Sequence, residues 1–200
     1  MPPQLLIATN NKGKVAELCE LLTGLQVTLV TPAEIGLTLE VEEDGSTYAE
    51  NASKKALAFA AASGLVALAD DSGLEVDALD GQPGLHSARY SPQPGATDAD
   101  RRKYLLGKLS GKPRPWLARF RATIAIVAPG QTPRLAEGIC EGEIIPGERG
   151  TGGFGYDPIF LLTELGLTMA ELPMDEKNRL SHRARAVQNA IPILREIPGI

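Results

Sequence analysis

Aromatic residues are scarce, at 4% of the 200-residue chain, so a packed core must come from Leu, Ala, Val and Ile. Basic charge is not in excess: Lys+Arg 20 stand against Asp+Glu 25, a formal net charge of −5. A protein that wraps nucleic acid needs a basic surface, so no nucleic-acid partner is expected. A few local lysines still suffice for one small phosphorylated ligand. Histidines and cysteines number two each. Cys19 and Cys140 lie far apart in no metal-binding spacing, and the histidines are too few for a zinc site. Cys19 sits in an apolar helical pattern and is expected to be a buried free thiol. No run is long enough to span a membrane, and Met1-Pro2-Pro3-Gln4 lacks the charged start of a secretory signal. A cytoplasmic protein with no membrane partner is expected.

What is present alternates. Leu5–Ala8 reads as a strand, Thr9–Lys14 as a polar loop, and Val15, Leu18, Leu21 and Leu22 repeat at helical spacing. Val27–Val30 reads as a second strand. Thr47 with Glu50 three residues later has the capping-box pattern, and Gly64 supplies a stop. Leu65–Ala69 reads as a strand ending in Asp70-Asp71-Ser72-Gly73, with Leu74–Leu79 extended after it. Residues 82–97 are turn-rich, and Asp98–Leu109 reads as a helix. Trp116–Val127 and Leu135–Ile145 read as a hairpin around Pro129-Gly130, and Ile159–Leu162 as a short strand. Residues 181–196 form the last helix. The pattern is mixed α/β, with a central sheet flanked by helices and one domain over 1–200 in two lobes around a cleft.

Several segments carry candidate chemistry, each beside a plainer account. Thr9-Asn10-Asn11-Lys12-Gly13-Lys14 joins a strand end to a helix start, where free N–H groups and the helix dipole favour an anion. It reads as a phosphate cradle or as a solvated turn, and it lacks the P-loop spacing. Glu42, Glu43, Asp70 and Asp71 offer the hard oxygens that Mg²⁺ prefers. The plainer account is an acidic loop and an Asp-rich turn. Neighbouring strand residues point to opposite sides, so one of Asp70 and Asp71 is expected to face the cleft. Asn51 and Lys55 share a helix face, and Lys55 stands out among alanines. Gly150–Gly155 matches G-x-G-x-x-G by letter, but no helix follows, which excludes a dinucleotide fold. For Ser181-His182-Arg183 the plainer account is a helix cap with the other two residues exposed.

In order along the chain stand Ala8–Lys14, Glu50-Asn51-Ala52, Ala69–Leu74, Ser87-Ala88-Arg89-Tyr90, Gly152–Pro158 and Glu176–Arg183. Together they resemble the inosine triphosphate pyrophosphatases, also described as non-standard purine NTP or dITP/XTP pyrophosphatases. The resemblance implies an elongated α/β fold with two lobes around a nucleotide-binding cleft. It also implies a homodimer, an Mg²⁺ cofactor, and hydrolysis of ITP, dITP and XTP to the monophosphate and pyrophosphate. Thr9, Asn10, Asn11, Lys12, Gly13 and Lys14 would hold the triphosphate, with Asn11 and Lys14 foremost and Lys55 adding to them. Glu42 and Asp71 would serve the metal, with Asp71 also the base that activates water. Ser72 would touch the substrate. Phe154 would stack on the base beside Gly155, Tyr156 and Asp157. Lys177, His182 and Arg183 would contact base and phosphates. Asn10 replaces a glycine common after Thr9 in the family, and Glu43 competes with Glu42 for the metal. Two rival readings are a Maf-like pyrophosphatase of pyrimidine or modified-base preference and a non-catalytic nucleotide sensor.

Overall fold

The computed structural model describes residues 2–198 and 200. Strand β1 (Gln4–Ile7) leads into α1 (Lys12–Leu21), and β2 (Thr28–Val30) is followed by α2 (Tyr48–Ser63) and β3 (Val66–Val76). Then come α3 (Asp98–Leu109), β4 (Trp116–Val127), β5 (Arg134–Ile144), β6 (Phe160–Leu162), β7 (Leu167–Thr168), α4 (Met174–Leu180) and α5 (His182–Arg195). The strands form one sheet in the order β2-β1-β3-β4-β5-β6-β7. It is mixed: β1 pairs parallel with β2 and β3, whereas β6 pairs antiparallel with β5 and β7. The α/β class with a mixed, helix-flanked sheet is thus as expected.

Local chemistry explains the helix ends. Asn11 caps α1 by accepting the Lys14 N–H, and Thr47 caps α2 by accepting the Glu50 N–H. The Glu50 carboxylate turns to Ser46 instead of completing a reciprocal box. Thr97 and Asp100 do form the full box on α3. Gly64 ends α2 in the left-handed region, φ 70°, which glycine adopts without steric cost.

The chain divides into two compact units. One comprises Met1–Asp71, Ala122–Gly138 and Arg183–Ile200; the other comprises Ser72–Arg121 and Ile139–His182. In the first unit the period-2 alternation of strands sorts side chains between two cores. Leu5, Ile7, Leu68, Ile124 and Ile126 pack with α1 and α5, while Leu6, Ala8, Ala67, Ala69 and Val127 pack with the alanine face of α2. The second unit has its own core, where Phe120, Phe160, Trp116 and Tyr156 join Leu105 and Leu109 of α3.

Three expectations change, and two elements were not foreseen. Asp70-Asp71-Ser72-Gly73 is no turn, because β3 runs unbroken through it; buried partners on both faces hold both aspartates in extended backbone. Lys12–Lys14 form the first turn of α1 and not a loop before it. Cys19 is half-buried, because it faces the flank of α1 beside the core stripe of Leu18 and Leu22, whereas Cys140 is buried. Helix α4 and strand β7 had no periodic signal, being 7 and 2 residues long.

Candidate active site

In the first unit the site grows from the middle of β3. Asp70 follows Leu68 on the face covered by α1 and α5; Asp71 follows Ala69 on the face covered by α2. Asp70 is fully buried. Its Oδ2 accepts Arg183 Nε at 3.1 Å and Nη2 at 3.0 Å, and lies 3.1 Å from Lys14 Nζ. Arg183 Nη1 also bonds the buried Glu17 carboxylate. Burial alone would lower the Arg183 pKa, but the Asp70 and Glu17 carboxylates outweigh it and raise it. A buried charge persists only when paired in this way.

On the other face, Asn51 Nδ2 donates to Asp71 Oδ2 at 3.1 Å, and Asn51 Oδ1 accepts the Gly45 N–H at 2.8 Å. Asn51 thereby ties the acidic loop to the β3 carboxylate. A Cβ on Gly45 would stand 2.7 Å from Asn51 Oδ1, so the link requires glycine there. Lys55 Nζ bonds Glu43 and lies 3.7 Å from Asp71 Oδ1. Lys14 and Lys55 both donate to the main-chain carbonyl of Asp70, at 3.2 and 2.9 Å. Burial pushes the Asp71 carboxyl above its usual range against the pull of Lys55 and Lys14, with Glu43 and Asp70 adding to the rise.

The rest of the polar segment frames this centre. Thr9 Oγ1 accepts the Asn11 N–H at 3.2 Å, and Asn11 Oδ1 accepts the Lys14 N–H at 3.1 Å. Asn10 reaches the Leu39 carbonyl at 3.4 Å, and Lys12 is exposed beside the half-buried Gly13. Of the acidic loop, Glu43 is half-buried and takes up Lys55, while Glu42 is exposed. Strand alternation accounts for it, since consecutive residues of an extended loop face opposite ways.

In the second unit, Phe154 and Gly155 are half-buried at the tip of the glycine loop, and Ser72 is half-buried in β3. Lys177 Nζ lies 2.6 Å from Asp157 Oδ2 and 5.4 Å from the centre of the Phe154 ring. The Phe154 N–H donates to the same carboxylate oxygen at 2.9 Å. Gly153 admits no side chain, because a Cβ would stand 2.0 Å from Asp157 Oδ2. Tyr156 is buried, and its hydroxyl donates to the Ser87 carbonyl at 2.9 Å. His182 stacks on Phe120 at 4.7 Å.

One expectation is therefore corrected. His182 and Arg183 are buried rather than exposed on the first turn of the last helix. Arg183 pairs with two carboxylates, those of Asp70 and Glu17. Asp157 joins Lys177 to the Phe154 N–H of the loop. Glu17, Asp98 and Arg102 escaped sequence reasoning. Glu17 left one signal, an acidic residue on the apolar stripe between Val15 and Leu18.

The profile of the Ham1 family matches residues 5–193. This chain belongs to that family. It is 51% identical over 195 residues to the dITP/XTP pyrophosphatase of Desulforamulus reducens, covering 97% of this chain and 96% of the relative. It is 50% identical over 185 residues to the dITP/XTP pyrophosphatase of Geobacter sulfurreducens, covering 92% of each. Among solved structures, a HAM1 protein from Coxiella burnetii superposes with a TM-score of 0.88 at 39% identity, over 98% of this chain and 100% of that one. Membership in the Ham1 family also accounts for the ordered segments that pointed to it. Among the described residues, no helix is long and apolar enough to cross a membrane.

Proposed function

We propose that this chain hydrolyses non-standard purine nucleoside triphosphates (ITP, dITP and XTP) to the monophosphate and pyrophosphate. One observation carries the reading: two lysines from two helices meet at one β3 carbonyl, beside a buried carboxylate at Asp71. Phosphoryl chemistry asks little covalent work of a protein; it needs positioning and neutralised charge. Lys14 and Lys55 neutralise the triphosphate, while the N–H groups of the first turn of α1 and the Thr9–Asn11 side chains orient it. Asp71 takes the proton of the water that attacks the α-phosphorus.

The donor set fits a divalent cation. Asp71 and Glu43 present hard oxygens around the Lys55 ammonium, and Mg²⁺ commonly takes one or two carboxylates plus substrate phosphates. Among the described residues no group of three or more His, Cys, Asp or Glu could hold a metal, which leaves the remaining ligands to phosphate and water. Mg²⁺ held by Asp71 and Glu43 would neutralise phosphate charge. Phe154 stacks on the base, and neighbouring donors select a 6-oxo acceptor over the 6-amino group of adenine, since a mismatch leaves buried polar groups unpaired. The dITP/XTP pyrophosphatase names of the relatives favour this over the pyrimidine reading, and the paired carboxylates favour it over a sensor. We further propose a cytoplasmic homodimer.

The test is pyrophosphate release from ITP, XTP, GTP, ATP and dTTP, each with and without Mg²⁺. Metal-dependent release from ITP and XTP far above the others is expected. Release mainly from dTTP, or none at all, would overturn the reading.

A further inference from the structure

The glycine loop that carries Phe154 is held by helix α3. Asp98 Oδ2 accepts the Gly155 N–H at 2.8 Å, and Arg102 Nη1 donates to the Gly155 carbonyl at 2.7 Å. Arg102 is itself fixed by a two-pronged pair with Glu148, at 2.9 and 2.9 Å. Arg101 bonds the other oxygen of Asp98. Burial pushes the Asp98 carboxyl up, but the Gly155 N–H and Arg101 outweigh it and hold it ionised below the usual range.

These contacts are not needed to form α3. Its N-terminus is already capped by the Thr97–Asp100 box, so the Asp98 carboxylate is surplus to capping. What Asp98 and Arg102 do restrain is a segment with little stiffness of its own. Thr151-Gly152-Gly153-Phe154-Gly155 holds three glycines, two of them at φ of 69° and 63°. The N–H of Phe154 itself is pinned by Asp157 and the N–H of the next residue, Gly155, by Asp98, so the Phe154 Cα is fixed between two carboxylates.

We propose that Asp98 and Arg102 are positioning residues for base recognition: by gripping both polar groups of Gly155 they set where the Phe154 ring stands. This rests on the reading of Phe154 as the ring that stacks on the base. A stacking platform selects one base over another only if its place is fixed, and these two side chains supply that restraint.

The test compares Asp98→Ala and Arg102→Met with the unaltered protein in kcat/KM for ITP and ATP, and in inhibition by inorganic tripolyphosphate. We expect kcat/KM for ITP to fall about ten-fold, mainly through KM, with the ITP-to-ATP ratio falling in step. The inhibition constant for tripolyphosphate, which has no base, is expected to stay unchanged. An unchanged ITP-to-ATP ratio in folded variants overturns the proposal, as does tripolyphosphate weakening in parallel with ITP. Arg102→Met keeps the aliphatic stem and carries the test if Asp98→Ala fails to fold. An unaltered protein without preference for ITP removes the underlying reading, and that is seen before any variant is made.

Discussion

Asp70 and Asp71 are neighbours in one strand, yet their carboxylates serve opposite faces of the sheet. Asp70 binds Arg183 and Lys14 from α5 and α1, and Asp71 binds Asn51 and approaches Lys55 from α2. The two residues should therefore fail in different ways. Asp71→Asn keeps the shape and the Asn51 contact but loses the charge and the base. It should retain ITP binding and lose turnover by about 10²- to 10⁴-fold, the range typical of a positioned acid or base. Single-turnover kinetics beside equilibrium binding separates the two effects, and near-normal turnover would end the role of Asp71 as base.

Arg183 makes the complementary case. Arg183→Met leaves Glu17 and Asp70 as buried carboxylates without their guanidinium, and such a loss typically destabilises by about 3–5 kcal/mol. Urea unfolding should show a lower midpoint. An unaltered midpoint would mean that water or Lys14 compensates fully.

The acidic loop offers a direct comparison. Glu43 is the loop carboxylate that shares Lys55 with Asp71, while Glu42 is exposed. Glu43→Gln should raise the Mg²⁺ concentration needed for half-maximal hydrolysis by about ten-fold, since Mg²⁺ relies on few carboxylates. Glu42→Gln should leave it almost unmoved. The reverse order would assign the metal to Glu42.

Lys14 sets an alkaline limit. Its burial lowers its pKa from the ordinary 10.5, against the opposing pull of Asp70. A lysine with a lowered pKa is charged below that value and neutral above it. Neutralisation of the triphosphate is thus complete at lower pH and lost as pH rises through the depressed value, short of 10.5. The profile of kcat/KM for ITP, which reports the free enzyme, should fall on that side. Lys14→Arg should move the fall to higher pH, and an unmoved limb would assign it to another group.

Tyr156 tests the distinction between bracing and contact. Its hydroxyl is spent on the Ser87 carbonyl, and its ring lies in the core of the second unit. Tyr156→Phe should cost about 1 kcal/mol of stability for the lost hydrogen bond and leave the ITP-to-ATP ratio intact. A lower ratio would return Tyr156 to the base.

Much of this was legible in order along the chain. Helix α3 has the bounds Asp98–Leu109 read for it, Thr47 and Gly64 bracket α2 as read, and the six segments pointed to the Ham1 family because local chemistry is written in local sequence. Asp70-Asp71-Ser72-Gly73 misled because its composition is that of a turn, and only partners distant in sequence make it a strand. Glu17 and Arg183 are 166 positions apart, and no local pattern announces such a pair.

The division follows from the range of the forces. Capping, periodicity and turn chemistry act over three or four residues, so the sequence by itself determined where most helices and strands lie and which residue types carry the chemistry. Burial and charge pairing act between segments brought together by the sheet. Only the tertiary structure decided that Arg183 pairs with Asp70 and Glu17, that Glu43 shares Lys55 with Asp71, and that α3 grips the loop of Phe154.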